Sequence, residues 1–182
     1  MHQIDHLPQK AKDLGAFAAA VIDTADVKFM HEFRKACERN ACGFYDKNWM
    51  CPPAVGAPAE LEERFLQFQQ GFVIQSVHSI KSSFDSKGMI KAVDDHEKVF
   101  RSILNYIESN ENYESLLPLN VGACRFCKEC SYLTGQPCRI PEKAVASLEA
   151  YCIDVNALLG KCDIPYYNGP NTVSFVSLFL LS

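Results

Sequence analysis

Seven of the nine cysteines in this 182-residue chain fall into two groups whose spacing suits a metal. Cys124, Cys127 and Cys130 form a C-x2-C-x2-C run, and Cys138 follows after seven further residues. Upstream lie Cys37, Cys42 and Cys51, the last followed by Pro52 and Pro53. Structural zinc takes four ligands, typically as two C-x2-4-C pairs. Three thiolates on one tight loop instead reach different irons of one cube, and they match the first three ligands of the bacterial ferredoxin pattern for [4Fe–4S]. The expected cofactor is therefore one or two [4Fe–4S] clusters, with zinc the weaker reading. An odd cysteine count suits disulfide pairing poorly, and clustered cysteines in a reducing interior more often bind metal.

Seven ligands exceed one cube and fall one short of two. In ferredoxins the cysteine before a proline serves the other cluster. Cys51 would then join Cys124, Cys127 and Cys130, leaving Cys37, Cys42 and Cys138 as a three-thiolate site. Alternatively Cys138 joins Cys37, Cys42 and Cys51, and the triplet stays open at one iron. A single cube with spare cysteines is the third arrangement. An iron without a thiolate can bind substrate, water or another ligand. Arg125 and Arg139 flank the motif and are expected to bind the cofactor, since nearby cations offset the negative charge of a thiolate-ligated cluster. Phe44, Tyr45 and Trp49 are expected in the core. Cys152 reads as a buried, inert thiol on a helix face, and Cys162 is not counted as a ligand. His2, His6, His31, His78 and His96 show no paired metal spacing.

The bulk composition removes several other classes. A formal net charge of −4 with no Lys/Arg-rich stripe gives no basis for nucleic-acid binding. The start, Met1 to Asp5, lacks the basic and apolar regions of a signal peptide, and Val173–Leu181 is too short to cross a membrane. A cytoplasmic protein without a membrane partner is expected. Hydrophobic residues make up 48% of the chain, enough for a sizeable core in one domain over residues 1–182.

Four apolar runs read as strands: Ala16–Asp23, Phe72–Ile80, Leu116–Gly122 and Thr172–Leu180. Helical patterns cover Val27–Arg39 behind an Asp26 cap, Ala59–Gln70 with Gly71 as its stop, and Lys91–Ser109. A further helix starts at Pro141 and buries Val145, Leu148 and Cys152, with Ser147 and Glu149 on its solvated side. Asp154 caps a short helix to Leu159. The fold class is α/β: a single sheet of about four strands, flanking helices, and irregular cysteine-rich loops at about 37–58 and 122–141. Largely parallel strands would let both loops meet at one sheet edge.

Several strings extend the pattern beyond the cysteines. They are Cys37-x4-Cys42 with Tyr45, Cys51-Pro52-Pro53, Gly122-Ala123-Cys124-x2-Cys127-x2-Cys130, Gly135-x-Pro137-Cys138-Arg139-x-Pro141 and Ser147-x-Glu149-Ala150-Tyr151-x-Ile153-Asp154-Val155. Together they resemble the predicted metal-binding proteins called domain of unknown function 2284, from about Leu14 to the last strand. The resemblance implies cysteine-bound metal, expected as iron–sulfur, in anaerobic bacteria and archaea, and it supplies no reaction. Members usually carry glycine at position 152, so Cys152 departs from the pattern. The expected role is electron transfer or a redox-cofactor function, with an unidentified redox partner or small-molecule substrate and a possible homo-oligomer. An enzyme with an open-site cluster and a zinc-stabilised interaction module are the alternatives.

Overall fold

The apolar run at the end of the chain becomes a strand, β4 (Thr172–Leu181), paired antiparallel along its whole length with β2 (Gln70–Ser79). Both strands are apolar on both faces, so neither face of the sheet can be left to water. The computed structural model describes residues 4–182, and the expectations for His2 and the first three residues lie outside the described residues. β1 (Ala18–Asp23) borders β2, and β3 (Leu116–Leu119) borders β4, giving the order β1-β2-β4-β3 with every pairing antiparallel. The parallel arrangement expected from the sequence is thus replaced. A long helix, α4 (Ser86–Asn110), does cross from β2 to β3, but β4 inserts between those two strands and pairs with both.

One face of the sheet carries Phe72, Ile74, Phe179 and Leu181. Against it pack α1 (Leu7–Asp13) and α4, whose Phe100, Ile103, Leu104 and Ile107 recur at helical spacing. Phe72, Phe179 and Phe100 stack in series, each neighbouring pair of ring centroids 5.0 Å apart. The other face carries Ile22, Val73, Leu178 and Leu180. It is covered by α3 (Pro58–Phe65), α5 (Val155–Lys161) and irregular chain bearing Leu148, Tyr151 and Ile153. Between β1 and α3 lies the short α2 (Arg34–Glu38).

Three helix expectations fail for tertiary reasons. Residues 27–30 do not coil, because Phe29 forms a β-bridge with Ile153 while Met30 N–H donates to the Cys152 carbonyl; a 3-10 turn at His31–Phe33 then leads into α2. Asp26 lies inside a 3-10 turn and pairs with Lys161 at 3.1 Å instead of capping a helix. Beyond the 3-10 turn Pro141–Lys143, Ser147 bridges Asn120, residues 148–152 form turns and Ile153 bridges Phe29, so Val145, Leu148 and Cys152 share no helix face. Cys152 is fully buried in a turn at φ +59°, a left-handed conformation that glycine adopts without cost. Asp154, by contrast, caps α5 through the Ala157 N–H as expected.

Gly71 lies within β2 opposite Leu180 and does not stop a helix; α3 ends earlier, at Phe65. A Cβ there would sit 2.5 Å from the Phe179 carbonyl oxygen and from Leu180 Cδ2. Gly71→Ala should therefore lower stability by about 1–3 kcal/mol, measured by denaturant unfolding.

His96 is fully buried on α4 between two hydroxyls, Ser76 and Ser177, each 2.7 Å away. Ser177 donates its proton to Asn120 Oδ1, so its oxygen must accept from His96 Nε2–H, and His96 Nδ1 accepts from Ser76. Burial, with the neighbouring His78 charge second, pushes the His96 pKa down to about 4. Between about 4 and about 6.5 the unfolded chain binds the extra proton and the folded chain does not, so falling pH favours unfolding. Wild type should lose on the order of 2 kcal/mol more than His96→Gln between about pH 7 and about pH 5, read from urea unfolding.

Candidate metal centre

The second cysteine loop is closed at its base by Asn120. Its N–H donates to the Ala146 carbonyl at 2.9 Å, and its carbonyl accepts from Leu148 N–H at 3.1 Å. Its side-chain amide donates to Glu97 Oε2 at 2.5 Å, and Glu97 Oε1 in turn holds Arg101 at 2.7 Å. Arg101 donates to the Lys143 carbonyl and lies over the Phe126 ring, 4.4 Å from its centroid. A continuous set of hydrogen bonds thus runs from the sheet core to the loop that bears Cys124 and Cys127.

Within the loop the backbone N–H groups of Phe126 and Val145 donate to the Cys124 sulfur. Burial still leaves the Cys124 thiol pKa raised, with those two bonds pulling the other way. The seven residues after Cys130 fold back on themselves. Ser131–Thr134 make a 3-10 turn, Gly135 takes φ +64°, and Ser131 Oγ donates to the Pro137 carbonyl at 2.8 Å. That reversal returns Cys138 to the triplet, so Cys124, Cys127, Cys130 and Cys138 all line one cavity of about 430 Å³. Neither two-cluster division drawn from the sequence grouped these four.

The first segment docks onto the second. Asn48, buried, donates its amide to the Cys124 carbonyl at 2.9 Å and accepts the Met50 N–H at 2.9 Å. Trp49 Nε1 donates to the Gln136 carbonyl at 3.0 Å, and its ring meets Tyr132 edge-on at 5.0 Å. Tyr132 hydroxyl donates to Asp46 at 2.6 Å. Cys51, next to these contacts, has its thiol pushed up to about 12 by burial first and then by Cys42, Cys37, Cys124 and Cys130. It therefore stands within electrostatic reach of both groups, Cys42 and Cys37 acting on it most. Cys37 is also raised by burial, opposed by the Arg34 guanidinium beside it.

Thiols raised in this way stay protonated near neutral pH, and a bound metal would have to displace their protons. Among the described residues no three His, Cys, Asp or Glu side chains converge tightly enough for a single ion. A cube, in which each thiolate meets a different iron, accommodates more widely spaced sulfurs. Arg34 Nε, buried with no hydrogen-bond partner, also suits an anionic group beside Cys37. The donor set, the N–H···S bonds and this orphaned donor all fit an iron–sulfur cluster.

The remaining expected residues sort clearly. Arg125 lines the four-cysteine cavity and lies 3.9 Å from Asp94. Arg139 is exposed and donates to the Glu129 carbonyl at 3.0 Å, bracing the loop from outside the cavity. Phe44 and Trp49 line the cavity instead of joining the core, and Tyr45 is half-buried. Ser147 is buried and accepts the Ala150 N–H, while Glu149 is exposed, and neither lies on a helix. Cys162 ends α5 beside Asp26 and Asp163, apart from the other ligand candidates. His6 and His31 pair with Glu111 and Glu62, and His78 bonds Ser76. Asn48, Asn120 and Arg34 were missed. Only the crowding of polar and aromatic types between Cys42 and Cys51 signalled Asn48, and the other two carry no local signal.

The fold is an α/β protein in which one cysteine-bearing segment docks onto a second whose four cysteines line one cavity. A family of predicted metal-binding proteins (DUF2284) matches residues 20–181, and the chain belongs to that family. Comparison with curated proteins and with solved structures gives no match. No helix among the described residues is long and apolar enough to cross a membrane.

Asn48→Ala removes the bond that ties the first segment to the second and leaves the Cys124 carbonyl and Met50 N–H unpaired. Stability should fall by about 1–3 kcal/mol. Amide hydrogen exchange should rise in both cysteine segments and stay unchanged in β2 and β4.

Proposed function

We propose that this protein binds two [4Fe–4S] clusters and transfers electrons in the cytoplasm of an anaerobe. Cys124, Cys127, Cys130 and Cys138 would hold one cluster and Cys37, Cys42 and Cys51 the other. The observation that carries this reading is the single cavity lined by all four cysteines of the second loop. When bound, a [4Fe–4S] cluster accepts and releases single electrons.

The chain's own residues suit that task. Phe126 and Val145 N–H groups bond the Cys124 sulfur, which favours the reduced, more negative state. Arg125 adds positive charge at the cavity wall. Trp49 and Met50 screen it from water, and exposed Phe44, Phe126 and Leu133 around it offer an apolar surface to a redox partner protein. Zinc would need four sulfurs within about 2.3 Å of one point, which the spread of these thiols supports less well.

A second reading has its own support. Three thiolates leave one iron of the Cys37 site free, and Cys37 also borders a cleft of about 390 Å³ with Phe33, Glu149, Tyr166 and Phe175. A small molecule bound there would make the protein an enzyme of the open-site class.

Iron and acid-labile sulfide on protein purified without oxygen test both readings. About eight of each per chain is expected, falling to about four in Cys127→Ser and unchanged in Cys162→Ser. Zinc without sulfide would refute the redox reading. A ligand-induced change in the spectrum of one cluster would favour the enzyme.

A further inference from the structure

Arg34 is a charge the polypeptide does not balance. It is only 9% exposed, on α2 three residues before Cys37, a spacing that puts both on one helix face. Its Nη2 donates to the Ala150 carbonyl at 3.1 Å, and its Nε is buried without an acceptor. None of the ion pairs among the described residues includes it. Arginine cannot shed its proton in a protein. A buried guanidinium without a counter-charge costs several kcal/mol, and buried donors are otherwise almost always bonded. The Nε–H is therefore left for an acceptor that the described side chains do not supply, and an anionic group beside Cys37 would supply it together with the counter-charge.

We propose that Arg34 is a positioning residue of the Cys37, Cys42 and Cys51 site, its buried guanidinium neutralising and hydrogen-bonding an anionic cluster held there. The inference rests on the iron–sulfur reading of that site. It gives the two clusters different surroundings. The Cys124 set is served by backbone N–H donors and half-exposed Arg125, whereas the Cys37 set has a formal charge in a buried position. Positive charge and N–H donation both stabilise the reduced cluster, so Arg34 raises the potential of the cluster at Cys37 relative to what its ligands alone would give. The bond to the Ala150 carbonyl fixes the guanidinium plane, which a lysine could not reproduce although it would keep the charge.

The test uses the full chain purified without oxygen as wild type, Arg34→Gln and Arg34→Lys. Iron and sulfide are assayed, unfolding is followed by circular dichroism, and each potential is read by redox titration with electron paramagnetic resonance. In Arg34→Gln one of two potentials should shift negative while the other stays, or the iron and sulfide of one cluster should be lost while the Cys124 set keeps its own. Arg34→Lys should shift the same potential by less. Should Arg34→Gln fail to fold, a selective negative shift in Arg34→Lys supports the assignment, and its absence overturns it. Full cluster content with both potentials unchanged in a folded Arg34→Gln likewise overturns it. Wild type lacking iron and sulfide would overturn the reading of the site itself, a result separable from the variants because it is read on the wild type alone.

Discussion

Asn120 is the residue on which the arrangement of the second loop depends. Its backbone N–H and carbonyl bind Ala146 and Leu148, on the far side of the cysteine loop, while its amide binds Glu97 and Ser177. One buried residue, through its backbone and side chain together, thus joins the end of β3 to β4, α4 and the segment following the loop. Closing a loop of this length costs entropy that grows only slowly with length. A clamp at the base therefore does more to confine the cysteines than shortening the loop would. The bonds continue inward to His96 and outward through Glu97 and Arg101 to Phe126, so the loop and the sheet core share one connected polar network. Each member has a partner, which is the condition under which buried polar groups rigidify a structure.

Metal and fold are coupled more tightly in the cysteine segments than elsewhere. Around the sheet, stacked phenylalanines and interleaved aliphatic side chains supply ample apolar burial. Residues 39–56 and 121–144 contribute few buried hydrophobic side chains, and many of their residues are exposed. What holds them is a small set of polar links: Asn48 to Cys124, Trp49 to Gln136, Asp46 to Tyr132. In such segments the free energy of metal binding is also the free energy of ordering. The α/β body supplies a rigid base, and the ligand completes the loops.

The strands were legible because apolar runs of this length, ended by turn residues, have few other solutions, and all four fell close to expectation. The long α4 was legible from its repeat of apolar positions. Residues 27–30 and 144–153 were not, because long-range partners set their structure. Phe29 and Met30 pair with Ile153 and Cys152, and no local pattern announces a partner more than a hundred residues away. The cysteine spacing pointed to metal, yet it did not show that Cys138 shares a cavity with the triplet. Counting residues from Cys130 takes no account of a turn at Ser131–Thr134 and a left-handed Gly135 that fold the insertion out of the path. Arg34 carried no signal in the sequence, since its partner, the Ala150 carbonyl, lies more than a hundred residues away.

The two sites are not supported equally, and the asymmetry has a direction. The second loop is anchored in the body at both ends, at Asn120 and at Ala146, and through Arg101 in between. The first segment is anchored mainly in the second: Asn48 and Trp49 donate to its carbonyls, and Asp46 accepts from its tyrosine. Cys51 lies directly beyond those contacts and depends on the second loop, whereas Cys37 on α2 is tied to the body through Arg34 and the Ala150 carbonyl. The converse dependence is weaker, because the clamp and the N–H bonds to Cys124 come from Asn120, Phe126 and Val145, none of which belongs to the first segment. The Cys37, Cys42 and Cys51 group also has the adjoining cleft and the unpaired Arg34 Nε, so under the two-cluster proposal it would be the adaptable site.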